Sequence, residues 1–277
     1  MELNLDNTWL RTLIPNIIHE VEDETTLFDK IYPWLETARI WLETEILGQY
    51  QPQGELRTLA EKIIVYKAFA DAIPSLDVTL SPAGFAVIST EGLAPASKER
   101  IERLIASLNS FVDANIISIV YELLKHTEWI SSPIGQMFRS TFIPHLGDTP
   151  RFRRDMDLLD TYKSMREIAL DFEAKLAEQY LGNEFLSEIR SAYPDFDEAG
   201  TKDIYEKIRT AELCYISFRL RSPESKLPDP SRIWRLVRPI LARLDYWPEL
   251  KARWQEEMGE TLNVEPFKNT VKGGYYF

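Results

Sequence analysis

Residues able to do chemistry are few in this chain. Three histidines, at positions 19, 126 and 145, and a single cysteine, Cys214, are spread through 277 residues. The run His19-Glu20-Val21-Glu22-Asp23 starts like a zinc-protease helix, but that site needs a second histidine where Asp23 stands. Acidic capping of a helix beginning near Thr25 accounts for the run better. His126, close to Glu128, falls at a helix end, where an imidazolium would meet the negative pole of the helix dipole. Cys214 lies in the apolar run Leu213-Cys214-Tyr215-Ile216 and reads as a buried, inert thiol. One cysteine also allows no internal disulfide and no cysteine-based zinc cluster. No phosphate-binding loop, dinucleotide fingerprint or nucleophile elbow occurs. The 44 acids would allow many carboxylate pairs, and spacing selects none of them. No catalytic residue, metal ligand or cofactor follows from these residues, and the chain is not expected to be an enzyme.

Charge and aromatic patterning point to contacts instead. Arg151-Phe152-Arg153-Arg154, followed by Asp155, Asp157 and Asp160, is the densest charged cluster. Arg151 with Asp155, and Arg153 with Asp157, stand four apart on a predicted helix, so solvated ion pairs explain it better than a phosphate site. Arg232, Arg235, Arg238 and Arg243, with Trp234, Trp247 and Trp254, would suit a nucleic-acid groove or, better, a subunit contact, since Arg and Trp are both enriched at interfaces. A net charge of −12 argues against a general affinity for nucleic-acid backbone while leaving room for a local basic patch, and no sequence-specific nucleic-acid partner is expected. The chain ends Gly273-Gly274-Tyr275-Tyr276-Phe277, three aromatic rings beyond a glycine hinge, where chain ends are usually polar and frayed. Burial of those rings favours either folding back or, as preferred here, docking in a neighbour, for example by adding a strand to a sheet edge.

The elements that position these residues are mainly helical. Apolar residues recur at steps of three and four from Asp23 to Gly48, from Glu55 to Ala72 where Pro74 would stop the helix, and from Ser97 as N-cap to about His126. Between the last two, Leu76–Leu80 and Phe85–Ser89 read as a β-hairpin joined by Ser81-Pro82-Ala83-Gly84. In the second half, helices are expected over Arg151–Leu181, Glu184–Ala192, Asp203–Leu220, Ser231–Leu244 and Pro248–Met258. The organisation is therefore a helical unit over 1–130 with a hairpin at about 76–89, a connection over 131–150, a second helical unit over 151–260, and an extended tail over 261–277. No apolar run approaches the roughly 20 residues of a membrane-spanning helix, and the acidic start lacks a secretion signal, so a soluble protein without membrane contact is expected.

The two halves carry a weak internal echo. Arg100–Ile105 aligns with Arg232–Val237, Leu47-Gly48 with Leu181-Gly182, and Glu61-Lys62-Ile63 with Glu206-Lys207-Ile208, in conserved order but drifting offset. Two related three-helix units are one explanation, and chance matching of amphipathic helices is the other.

The stretch from about Tyr66 to Leu104 resembles a segment of proteins encoded among the structural genes of tailed bacteriophages and related prophages. The likeness rests on Ala72-Ile73-Pro74 ending a helix, Gly84-Phe85-Ala86-Val87-Ile88 as a Gly-aromatic second strand, and Pro95-Ala96-Ser97 opening a long helix before Ile101. That resemblance implies a virion structural protein, a head-to-tail connector (adaptor) made in the host cytoplasm. It would form a homo-oligomeric ring next to the portal, contact portal and tail proteins, and surround a channel through which DNA passes. Adaptors of this kind pack a few helices, project hairpins to neighbours and send an extended tail into the portal. The interface residues then expected are Val78, Leu80, Phe85 and Val87 of the hairpin, Arg232 and Arg235, and Phe267, Tyr275, Tyr276 and Phe277 of the tail. The alternatives are a cytosolic helical protein-binding or regulatory module with its tail tucked in, and a hydrolase whose carboxylates the sequence does not reveal. Two acids with strongly shifted pKa values in one pocket would mark the hydrolase.

Overall fold

The computed structural model describes residues 7–14, 26–76, 79–81, 84–86, 97–152, 156–221 and 230–259. It is mainly helical and divides into two compact units, one of Met1–Phe138 with His145–Pro150, the other of Arg139–Pro144 with Arg151–Phe277.

In the first unit, α1 (Asn7–Leu13) precedes α2 (Leu27–Leu42), whose start is written locally as a capping box. Thr26 Oγ1 accepts from the Asp29 amide at 3.2 Å, and the Asp29 carboxylate accepts from the Thr26 amide at 3.3 Å. Ile31, Leu35, Ala38 and Leu42 form its buried stripe. The helix ends in a π-turn, Glu43–Leu47, in which Gly48 donates its N–H to the Glu43 carbonyl five residues back at 2.7 Å. Gly48 has φ +61°, a conformation that L side chains rarely adopt. The next helix, α3 (Gly54–Leu76), buries residues on every side, from Ala60 and Ile63 through Val65 and Phe69 to Ile73, as the central helix of its unit must. Its buried acid, Glu61, has a donor on each oxygen, Arg57 at 3.0 Å and the Trp9 indole at 3.2 Å. Then α4 (Lys98–Leu123) lays Val112, Ile116, Ile119 and Leu123 against α3. Two short helices follow, α5 (Thr127–Ile130) and α6 (Pro133–Phe138). Trp129 of α5 is fully buried and gives its indole N–H to the Ile46 carbonyl of the π-turn at 2.8 Å.

The second unit repeats these devices. Its first helix, α7 (Leu158–Leu176), ends in a π-turn, Ala177–Leu181, with the Gly182 N–H on the Ala177 carbonyl at 3.1 Å and φ +82° at Gly182. After α8 (Asn183–Ser191) come α9 (Ala199–Arg221), α10 (Pro230–Leu244) and α11 (Pro248–Met258). Trp254 of α11 donates its indole N–H to the Tyr180 carbonyl at 2.9 Å, and Tyr180, like Ile46, stands two residues before the glycine. The turns closing α4 and α10 also match. His126 N–H meets the Leu123 carbonyl at 3.0 Å, and Trp247 N–H meets that of Leu244 at 2.9 Å. The core of this unit gathers Phe172, Leu176, Phe185, Ile204, Ile208, Val237 and Ile240.

Several expectations need correction. The hairpin over 76–89 is not supported at that extent: Leu76 ends α3, and the described pairing is confined to β1 (Thr79–Ser81) and β2 (Gly84–Ala86), with Leu80 opposite Phe85. Pro74 does not stop α3 at Ala72: the helix carries the proline within its last turn, with the ring exposed, and ends two residues later at Leu76. Residues 131–150, expected as the connection between the units, carry structure of their own. They contain α6 and a 3-10 turn, Leu146–Arg151, and they bury Phe138, Phe142, Ile143 and Leu146. The helix expected from Arg151 begins at Leu158, with Asp157 as its N-cap accepting from the Asp160 amide at 2.7 Å. Arg151 and Asp157 therefore lie outside that helix, and 153–155 lie outside the described residues. Cys214 is exposed, because α9 turns Glu212, Tyr215 and Ile216 inward and leaves its neighbour outside. Finally, α4 has the length and composition to cross a membrane, with mean hydropathy 1.5 over its most apolar window, contrary to the expected absence of such a run. Its inward face is packed on α3.

Candidate functional site

Chemically, the most demanding place in the described residues is a buried group of acids in the second unit. Residues 140–143 form neither helix nor strand, so their backbone polar groups lack the partners that regular structure would supply. Side chains from three helices supply them. The Phe142 N–H is shared between Glu173 Oε1 of α7 at 3.1 Å and Glu212 Oε2 of α9 at 3.3 Å. Tyr205 of α9 donates its hydroxyl to the Phe142 carbonyl at 3.3 Å, and Tyr162 of α7 donates to that of Ile143 at 3.1 Å. Arg190 of α8 bridges the Ser140 carbonyl at 2.5 Å and Glu173 Oε2 at 2.6 Å, with its guanidinium 5.8 Å from the centre of the Phe142 ring.

Two acids and one arginine do not balance as ions. Glu212 is 0% exposed and Glu173 6%, and Glu212 Oε1 has no donor. A carboxylate buried with a bare oxygen beside a second carboxylate costs far more than its protonated form. Burial pushes Glu173 up to about 7 against the pull of Arg190, and burial together with the Glu173 charge pushes Glu212 well above the ordinary range. The pair holds a proton near neutrality, with Arg190 balancing the remaining charge. Burial also drives the Tyr162 and Tyr205 hydroxyls up, which keeps them as neutral donors to the two carbonyls.

Paired acids sharing a proton can serve hydrolysis, but only where a substrate reaches them. The two cavities described lie elsewhere. One of about 350 Å³ is lined by Phe152, Met156, Ser164, Ile168, Arg219 and Leu220, and one of about 580 Å³ by Tyr246, Trp247, Pro248 and Leu250 with Glu198 and Glu249. Neither is lined by Glu173 or Glu212. What the arrangement does chemically is hold a proton and a strip of backbone. Among the described residues, no group of three or more His, Cys, Asp or Glu is placed to hold a metal ion.

The residues expected from sequence fall as follows. Arg232 and Arg235 are exposed on α10, and Arg232 lies over the Phe218 ring at 4.3 Å. Arg243 pairs with Asp203, which also accepts from the Trp247 indole at 2.8 Å, so the Arg and Trp residues of this stripe serve partly as internal ties. Leu80 and Phe85 are register partners in the short pairing, while Val78, Val87, Phe267, Tyr275, Tyr276, Phe277 and His19 lie outside the described residues. His126 Nδ1 and the Tyr50 hydroxyl are hydrogen-bonded at 3.1 Å, and His145 stacks on Tyr121. The acids of the buried group were missed, although a trace was present. Glu173 sits beside Phe172 in the apolar stripe of α7, and Glu212 beside Ala211 in that of α9, so each is a charge at a core position of the helical period.

A family model described as a family of unknown function, DUF6712, matches residues 14–138, the part of the chain that carries α2 through α6. No curated protein and no solved structure matches the chain.

Proposed function

We propose that this chain is a non-enzymatic assembly protein, a head-to-tail connector of a phage-like particle that forms a ring next to the portal. The observation that carries this reading is the exposure of large apolar side chains on the outer helices of the first unit. Tyr32 and Ile40 on α2 and Leu104 and Phe111 on α4 are 44–54% exposed, and α4 presents the last two on one flank. Apolar side chains held out on regular helices are what a subunit contact uses. The acids that would have favoured a hydrolase are instead spent on backbone. The phage resemblance at Tyr66–Leu104 lies inside the region matched by the family model and supplies the kind of assembly. We also read the two units as copies of one helical module, on the strength of their shared π-turn, positive-φ glycine, indole tie and helix–helix turn.

The test is the mass of the full chain in solution by light scattering and mass photometry, with the double variant Leu104→Ser/Phe111→Ser beside it. The expected result is a ring-sized oligomer that the double variant reduces to smaller species. A wild-type chain that stays monomeric at micromolar concentration, alone and with portal protein, overturns the reading. Deleting the residues after Lys272 is expected to leave helicity intact and to abolish docking on the portal; unchanged docking removes the role given to the tail.

A further inference from the structure

We propose that Glu173 and Glu212 form a proton-dependent clamp that seats residues 139–144 in the second unit and loosens when the pair loses its proton. The segment is unusual in its placing, since the residues on either side of it, up to Phe138 and from His145 to Pro150, belong to the other unit. It has no secondary structure of its own to hold it. Its amide at Phe142 donates to both acids, and the bare, buried Oε1 of Glu212 requires a proton on that carboxyl to be tolerated.

The surroundings decide the direction of the switch. From α7 the pair is faced by Tyr162 and by Arg166, whose Nε donates to Ser140 Oγ at 2.8 Å. From α8 it is faced by Arg190, and from α9 by Tyr205, with Glu206 and Arg209 bearing on that tyrosine. Tyr193, from the turn before α9, stacks on Tyr205 with ring centroids 5.3 Å apart, and Arg139 of the segment donates to the Tyr193 carbonyl at 2.6 Å. One cation, Arg190, bonds directly to the pair, so one negative charge is matched and a second is not. Removing the proton leaves two buried carboxylates facing each other across the Phe142 amide. Opening the segment returns both to water, where carboxyls ionise near 4.5, so deprotonation favours the open form.

The experiment is amide hydrogen exchange on the full chain, read at Phe142 across a pH series and corrected for intrinsic exchange, with an α3 amide of the first unit as reference. Protection at Phe142 is expected to be greatest in mild acid and to fall about tenfold per pH unit between about 5 and 7, for each proton the closed form retains. The reference amide should not follow. In Glu212→Gln, whose amide can donate to Glu173 permanently, the fall should lose about one tenfold step per unit and protection above neutrality should rise. Protection at Phe142 that is independent of pH, or an equal slope in both proteins, overturns the clamp. Should Glu212→Gln fail to fold, carbon-labelled glutamate NMR of the wild type decides. Two carboxyls titrating well above the ordinary range support the clamp, and all glutamates titrating near 4.5 overturn it.

Discussion

Replacing Gly182 with alanine should cost the second unit about 3 kcal/mol, by two routes that can be separated. Gly182 has φ +82° and ψ 157°, a region that is essentially glycine-only and costs roughly 1–3 kcal/mol for any other residue. Its missing Cβ would also stand 2.2 Å from the Cδ of Glu257, so that carboxylate must move. The move is not free. Glu257 reaches from α11 to cap the start of α8, accepting from the Glu184 amide at 2.7 Å and the Phe185 amide at 2.6 Å, and a charged cap at a helix N-terminus is worth about 1–2 kcal/mol. Glu257→Ala alone should therefore cost about 1–2 kcal/mol. In the double variant the cap is lost only once and the clash is gone, so the total should stay near 3 kcal/mol and leave a coupling of about 1–2 kcal/mol. Urea unfolding of the four proteins, read by peptide-resolved hydrogen exchange over Asn183–Ser191, measures each corner. Strictly additive costs, or a Gly182→Ala protein within about 0.5 kcal/mol of the parent, would refute this account of the turn.

Three further outcomes follow from the same geometry. Gly135→Ala would place a Cβ 2.0 Å from the Trp129 carbonyl oxygen and 2.7 Å from the Ile130 Cα, both backbone, so a loss of more than about 3 kcal/mol is expected in thermal melts; Gly147→Ala, with no atom within 4 Å, serves as a near-neutral control. Trp129→Phe should cost about 1–3 kcal/mol by leaving the buried Ile46 carbonyl bare, and Trp254→Phe should cost less because its partner Tyr180 is only partly buried; equal losses in denaturant titrations would contradict that ranking. Arg190→Gln leaves Glu173 without its cation, so its cost should be larger by up to about 1.4 kcal/mol near pH 8, where Glu173, at about 7, is ionised, than near pH 5, where folding keeps it protonated. A loss that is the same at both pH values would show that the arginine acts by packing alone.

Much of the fold was legible in the amino-acid order. Thr26 and Asp29 write the start of α2, Gly48 and Gly182 mark the ends of its and α7's extensions, and the apolar stripes of α4 and α10 follow a helical period without help. These features are local, with cause and effect lying within one or two turns. The errors came where local rules leave the answer open. Leu213 and Cys214 are both apolar enough to be buried, so only the neighbours of α9 settle which side faces in. Residues 139–144 show no period at all, because the groups that hold them arrive from helices far along the chain.

The amino-acid order by itself determined a helical protein with two sets of amphipathic helices and contains no ready-made catalytic motif, since periodicity and caps are short-range properties. Only the tertiary structure decided that Glu173, Arg190 and Glu212 meet around the Phe142 amide. Whether a buried acid is paired, protonated or bare depends on which distant backbone and charges folding brings beside it, and on how completely water is excluded there.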